Sequence, residues 1–444
     1  MTTIPQVTQA MQACLGESAR RAGHESGFVQ RASKLGGAEM TQTLVFGWLA
    51  NPQASWEELA QTAAALGVTI SAQGLDQRLG PTAAACLQQV LGEAVQQVVQ
   101  ARAVPVGLLA RFQGVYVQDS TTVTLPAALS ALWAGCGGGQ AAGDGAAALK
   151  AQVQWELRTG QLSALILQAG RTADRQAGGL LANLPAGALG LSDLGYFSLE
   201  RLQSQSEQGS FWLTRVQAGT RLVMADGQNW VVSEWLASQG PASRVDTRVC
   251  LGAAHQLPCR LLAVRVPVEL AQQRRRQLHA EARRRGQPVS RERLALADWT
   301  VYVTNVPAEQ LSLEEAWILA RVRWQIELLF KLWKSHGQID EWHSGKPWRI
   351  LCEVYAKLLG QLLQHWIILV SCWDCPDRSL VKAAQTIRKY ALCLASAFGQ
   401  GPELERALAV VQRCLATVGR LNQRRRAPST AQLLAAFEAA PSLG

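Results

Sequence analysis

An aspartate stands inside the most strand-like run of this chain. The segment FQGVYVQDSTTVTLP, residues 112–126, is rich in β-branched and aromatic residues. Such a run predicts a β-strand. Asp119 lies near its middle. A carboxylate taken out of water is costly unless it is paired or binds a metal. A fold that keeps this strand must therefore bring a cation to it.

The flanking sequence predicts an α/β chain. A length of 444 residues suggests about three domains. Residues 1–105 read as helical, with apolar residues recurring three and four apart. Ser55 followed by Glu58 is a capping box. Leu59, Ala60, Ala63 and Leu66 form a stripe that ends at Gly67, and Ser71 opens a second helix in SAQGLDQRL. Helix, glycine turn and helix fit both a DNA-binding helix-turn-helix and an ordinary helical hairpin.

From residue 107 the character changes. The Asp119 strand is followed by a glycine-rich loop, residues 134–148, without the GxxxxGK[ST] spacing that cradles a nucleotide phosphate. Residues 148–158 and 162–170 predict two strands joined at Thr159-Gly160, a hairpin. Residues 171–185 predict a short helix, and 188–197 a strand that ends in Asp193. Strand-like runs between about 210 and 267 look like an inserted antiparallel piece. Residues 269–293 carry Arg274, Arg275, Arg276, Arg283, Arg284, Arg285, Arg291 and Arg293. That stretch reads equally as a polyanion-binding segment or a solvated helix. DWTVYVTNVP is a last strand, one long helix is expected from Ser312 to Ser335, and the remainder is helical.

Composition narrows the function classes. Apolar residues make up 48% of the chain, which excludes wholesale disorder. Only 17% are charged, yet Lys+Arg exceed Asp+Glu by 43 to 33, and all but eight of the cations are arginine. Arginine suits bidentate phosphate contact, so the balance leans towards a polyanion. The N-terminal residues lack the basic start and apolar run of a secretory signal. The most apolar stretch, Leu358–Val370, is interrupted by Gly360, Gln361, Gln364 and His365 and is too short to span a bilayer. A cytoplasmic protein is expected, with no membrane partner. The ten cysteines are scattered, and the Cys372–Cys375 pair has no second pair at zinc spacing. They read as reduced core residues.

Three acids then occupy informative places: Asp119 within the first strand, Asp193 at the end of a later one, and Glu327 on the long helix. Brought together, three carboxylates form an all-oxygen site for Mg²⁺. Two such ions roughly 3.5–4 Å apart can clamp the attacking and leaving oxygens of a phosphoryl displacement. On a continuous helix Arg323 lies beside Glu327, with Lys331 and Lys334 following towards the same face. Trp324, Leu328, Phe330 and Trp333 crowd this helix, so it is expected to be largely buried. Asp174, in RTADRQ, is the alternative second acid, although it reads as a helix-start residue.

These residues resemble the DDE transposases of bacterial insertion sequences, in the insertion sequence 4 group with a Y-x2-R-x3-E-x6-K signature. Arg323, Glu327 and Lys334 match its spacing, within RWQIELLFK. QDSTTVTLP is similar to the first Asp block, SDLGYF to the second, TNVP to the last core strand, and ISAQGLDQRL to an N-terminal segment. The likeness runs over about residues 25–375. One position departs: the signature tyrosine falls at 320, where this chain has Ala320.

The resemblance implies a fold and a site. It implies an RNase H-like catalytic core at 106–347, with a β-rich insertion at about 210–295. It implies a helical DNA-binding domain at 1–105 and a helical C-terminal region at 348–444 used in dimerisation. Asp119, Asp193 and Glu327 would be the catalytic residues and the ligands of two Mg²⁺ or Mn²⁺ ions. Arg323 and Lys334 would hold scissile-strand phosphates, and Lys331, Lys150 and Arg215 are further candidates for the DNA backbone. Trp299, which lies 28 residues before Glu327, would stack on a flipped base. The partners implied are double-stranded DNA, as transposon terminal inverted repeats and as target, and a second copy of the chain in the synaptic complex. The activity implied is cut-and-paste transposition. Two other readings stay open: a metal-dependent nuclease of the same fold that never joins, and a catalytically dead helix-turn-helix relic.

Overall fold

The structure is a computed structural model, and it describes residues 1–31, 34–136, 146–176, 183–421 and 432–434. In chain order the helices begin with α1 (Ile4–Gln12), α2 (Ala19–Glu25), α3 (Gly37–Ala50), α4 (Trp56–Ala65), α5 (Ala72–Arg78), α6 (Pro81–Val95) and α7 (Gly107–Ala110). The strands β1 (Val115–Leu125), β2 (Ala147–Glu156), β3 (Leu162–Ala169) and β4 (Leu189–Ser192) follow, then α8 (Leu199–Glu207). Next come β5 (Phe211–Arg215), β6 (Arg221–Val223), β7 (Asn229–Val231), α9 (Val232–Ser238), β8 (Arg244–Leu251) and β9 (Leu257–Arg265). The chain continues through α10 (Val268–Arg285), α11 (Arg291–Ala295), β10 (Trp299–Thr304), α12 (Leu313–Val322) and α13 (Gln325–Ser335). It closes with α14 (Pro347–Cys372), α15 (Leu380–Ala397) and α16 (Gly401–Val418).

These elements form two units. The first comprises residues 1–106, 120–172 and 325–444, and the second 107–119 and 173–324. The chain crosses between them at Asp119/Ser120 and at Trp324/Gln325.

The first unit is helical, with the β2–β3 hairpin and the outer half of β1. Its axis is α14, buried over most of its 26 residues. A helix apolar on nearly every side must be covered on every side. Here α3, α6 and α16 cover it. Helices from the first and last parts of the sequence thus pack together in this unit. Gln12 donates to the Phe398 carbonyl at 3.0 Å, and the Phe46 and Phe398 rings meet edge to face.

The expected helical pair is present as α4 and α5. Ser55 and Glu58 cap the first reciprocally, and Ser71 accepts from the Gly74 amide. The second helix turns its named residues inward. Leu75 is buried, Arg78 donates to the Leu35 carbonyl and lies over the Phe28 ring, and Asp76 pairs with Arg349.

The hairpin turn is fixed by Gly160. Its φ is +76°, and an added Cβ would stand 2.3 Å from Leu369 and 2.4 Å from Trp373. Its carbonyl receives the Trp155 indole at 3.0 Å and meets His365 Nε2 at 2.6 Å. Burial pushes the His365 imidazole down to about 4, so it sits there neutral as a donor. Gly160→Ala combines a left-handed backbone with overpacking. It should cost about 2–4 kcal/mol, read as a lowered urea midpoint at unchanged slope.

The second unit is a sheet. Strand β4 lies between β1 and β5 and is parallel to both. Beyond β5 the order is β10, β9, β8, β6, β7, all antiparallel. Strand β5 therefore belongs to the parallel part, and the inserted antiparallel piece starts after it, later than expected. Its core gathers Trp212, Leu222, Val232, Leu236, Leu261, Trp299 and Val303. The basic stretch is helix α10, in which only Ala271 is fully buried among the described residues. Arg274 donates to the Trp299 carbonyl and Arg275 pairs with Asp298, tying the helix to β10.

Two further expectations change. The helix expected at 171–185 shows a short 3₁₀ turn at Asp174–Gln176, and residues 177–182 lie outside the described residues, as do 137–145 of the glycine-rich loop. The single long helix from Ser312 is broken at Arg323–Trp324 into α12 and α13. No described helix is long and apolar enough to cross a membrane. None of the ten cysteines is paired.

Candidate active site

The second unit brings two of the three acids side by side. The parallel register of β1 with β4 ends at Gln118↔Ser192. One step further come Asp119, still within β1, and Asp193, the first residue past β4. Both stand at the carboxyl ends of parallel-paired stretches, where open α/β sheets bind ligands. Asp119 Oδ2 lies 3.5 Å from Arg323 Nη1, with both side chains largely covered. The Asp193 carboxylate caps no helix and has no hydrogen bond or ion pair among the described residues. Asp174 sits next to this turn, its Oδ2 facing Gly195.

Arg323 closes α12, whose start is fixed by a second capping box, Ser312 with Glu315. Arg260, itself buried, pairs with Asp246 and donates to the Val306 and Leu311 carbonyls, which anchors the connection from β10 to α12. The TNVP segment is explained by the same joint. Asn305 accepts from the Trp212 amide and donates to Ser206 and to the Ser210 carbonyl, while Thr304 donates to the Trp212 carbonyl.

Glu327 belongs to the first unit. It lies in the first turn of α13, half-buried, where the helix dipole favours a carboxylate. Ile326, Leu329, Phe330 and Trp333 form the buried stripe of this helix. Trp324 and Leu328 are 59% and 48% exposed, against the expectation that they bury it. Lys331 is exposed. Lys334 donates to the Thr122 carbonyl at 2.8 Å and stands 3.8 Å from Asp340. That bond fastens α13 to the outer half of β1, three residues past Asp119.

The other expected contacts divide. Arg215, at the end of β5, is exposed and has no ion-pair partner among the described residues. Lys150 is half-buried on β2 and donates to the Thr172 carbonyl at 2.6 Å. Trp299 is 4% exposed within the core of the second unit, and the Arg265 guanidinium covers its ring at 4.5 Å. This is the placement of a core tryptophan and leaves no free face for a base.

Sequence reasoning missed Tyr302, one residue pair away from the motif it used. Tyr302 is the cross-strand partner of Arg215, and its ring meets Trp317 edge to face at 5.2 Å. Burial pushes its hydroxyl above the usual phenol value, with Arg215, Arg323, Asp193 and Arg274 all near enough to act on it. The alternation of YVT within the strand was the available signal.

The donor set suits a hard divalent cation, since all three candidate ligands are carboxylates. Among the described residues no three metal-ligating side chains stand close enough to cage an ion.

Residues 110–363 match the transposase DDE domain. That is more than half of the chain. The chain belongs to the DDE transposase family. Its similarity to curated insertion-sequence transposases extends over three quarters of its length. It is 27% identical over 364 residues to the transposase for insertion sequence element IS231E of Bacillus thuringiensis subsp. finitimus, covering 76% of this chain and 74% of that one. It is 28% identical to the IS231F transposase of Bacillus thuringiensis subsp. israelensis, over 76% and 74%. With the IS1151 transposase of Clostridium perfringens it shares 24% identity, over 59% and 58%. In this DDE transposase Asp119 and Asp193 lie at the end of the β1–β4 pairing in the second unit, and Arg323 is the cation beside Asp119.

Proposed function

We propose that this chain is a DNA transposase that cuts transposon ends and joins their 3′-hydroxyls to target DNA. One observation carries the reading: the parallel register of β1 with β4 ends at Gln118↔Ser192, one residue before Asp119 and Asp193. Neighbouring carboxylates repel, and a divalent cation relieves that repulsion while Arg323 offsets part of it. The parallel β1–β4–β5 set with the β2–β3 hairpin supports an RNase H-like core.

Asp119, Asp193 and Glu327 would hold two Mg²⁺ or Mn²⁺ ions. When bound, such ions activate the attacking oxygen and stabilise the leaving one. The chain's own residues do the positioning. Arg323 and Arg215 would hold backbone phosphates, with Lys331 as an outlying contact. Lys334 would act first by fixing α13 on β1, which sets the place of Glu327. Exposed Arg276, Arg283 and Arg284 of α10, which have no ion pairs among the described residues, add to the attraction for DNA. The substrate would be double-stranded DNA, as terminal inverted repeats and as target, with two copies of the chain in the synaptic complex.

The test uses the DNA that flanks the gene. Full-length protein, Mg²⁺ and a duplex carrying the element's own end should give 3′-strand cleavage. A pre-cut end should yield a joined product with a plasmid target. Cleavage without joining would favour a nuclease, and neither product would favour a DNA-binding relic.

A further inference from the structure

A small cavity in the second unit lies between α12, β5 and β10. Its volume is about 80 Å³, and its lining includes Ser192, Arg215, Tyr302, Ala320 and Arg323. At about 30 Å³ per water, that is room for two or three waters or one tetrahedral oxyanion. Two arginines line it, one from β5 and one from the end of α12. Arg215 has no ion pair among the described residues, and Arg323 is held by Asp119. Tyr302 is half-buried, yet its hydroxyl has no hydrogen bond among the described residues. A phenol hydroxyl can donate to a bound oxyanion. Here it faces a space that a ligand oxygen could fill.

Ala320 makes that space. It lies three residues after Trp317 on the same face of α12, and Trp317 packs on the Tyr302 ring. Any larger side chain at 320 would enter the cavity. The family pattern places a tyrosine there, and this chain carries its phenol on the facing strand instead.

We propose that this cavity seats a DNA backbone phosphate, and that Tyr302 donates to it from β10 alongside Arg215 and Arg323. The proposal rests on the transposase reading only in naming DNA as the source of the phosphate. Burial keeps the Tyr302 hydroxyl protonated, as a donor must be. A phosphodiester oxygen would accept from the phenol and from both guanidiniums, a charge-assisted set.

The experiment is duplex DNA binding by the full chain, read by fluorescence anisotropy in EDTA over a range of salt. Tyr302→Phe should weaken binding roughly tenfold without changing the salt slope, because the lost donor is neutral. Arg215→Gln should weaken binding and lower the slope by about one. Ala320→Leu, which puts an apolar side chain into the cavity and leaves Tyr302 in place, should weaken binding at least as much as Tyr302→Phe with an unchanged melting curve, which a packing role for Tyr302 would not produce. Inorganic phosphate should compete with DNA in the unmodified chain and much less in Tyr302→Phe. Binding by Tyr302→Phe within about twofold of the unmodified chain would overturn the assignment. So would an Ala320→Leu chain that binds as tightly as the unmodified one. Lost phosphate binding with DNA affinity intact would give the cavity to a free anion. Failure of the unmodified chain to bind duplex DNA would instead overturn the transposase reading.

Discussion

Glu327→Gln is expected to abolish cleavage of the element's ends while duplex binding survives. The substitution keeps the size of the side chain and removes one ligand charge. Stabilisation of a developing oxyanion by a metal is a matter of several kcal/mol, and each ~1.4 kcal/mol is a factor of ten. Loss of one ligand should therefore lower the single-turnover rate by roughly a thousandfold. Asp119→Asn and Asp193→Asn should do the same. Glutamine at the first turn of α13 forgoes a favourable dipole interaction of about 0.3–1 kcal/mol, so folding is barely touched. Asp174→Asn is the internal comparison, because Asp174 lies beside the same turn. A silent Asp193→Asn with a dead Asp174→Asn would move the second acid. Full Mg²⁺-dependent cleavage by Glu327→Gln would remove Glu327 from the site.

Much of this was legible in the residues because it is local. Ser55 with Glu58 predicts the start of α4, and Thr159-Gly160 predicts the β2–β3 turn, because caps and turns depend on residues a few positions apart. The strand positions of Asp119 and Asp193 follow from β-branched runs, and their adjacency needs only a register. What escaped depends on distant contacts. Periodicity gives α13 an apolar stripe but does not say which aromatics lie off it. Trp324 and Leu328 do, and they are exposed. The break at Arg323–Trp324 has no glycine or proline to announce it. The union of α3 and α6 with α14 joins segments some 300 residues apart, beyond any sequence window. Trp299 shows the same limit. Its spacing to Glu327 suggested a DNA role, and its neighbours in the sheet place it in the core.

Lys357→Met should be among the most damaging single changes outside the acids, and its effect should grow with pH. Lys357 and Glu353 are one turn apart on α14, their charged atoms 2.7 Å from each other and 2% and 6% exposed. Burial pushes the Glu353 carboxyl up and the Lys357 ammonium down, and each opposes the other's shift. Lys357 also donates to the carbonyls of Gln338 and Glu341, in the turn that follows α13. It thereby fixes the end of the helix that carries Glu327. Methionine matches the aliphatic stem but strands a carboxylate and two carbonyls. Breaking a buried pair in this way costs about 3–5 kcal/mol. Glu353→Gln should cost less, since the ammonium keeps its two carbonyl acceptors. In Lys357→Met the folded carboxyl, raised by burial and without its cation, binds a proton at a pH where the unfolded chain does not. Stability then falls as pH rises through that window. Denaturant midpoints at pH 5 and pH 8 should show the gap to the unmodified chain widening at the higher pH. A gap that is equal at both would mean that Glu353 is relieved by another partner or by water. Because the same lysine holds the turn after α13, Lys357→Met should also slow end cleavage under conditions where the chain is still fully folded.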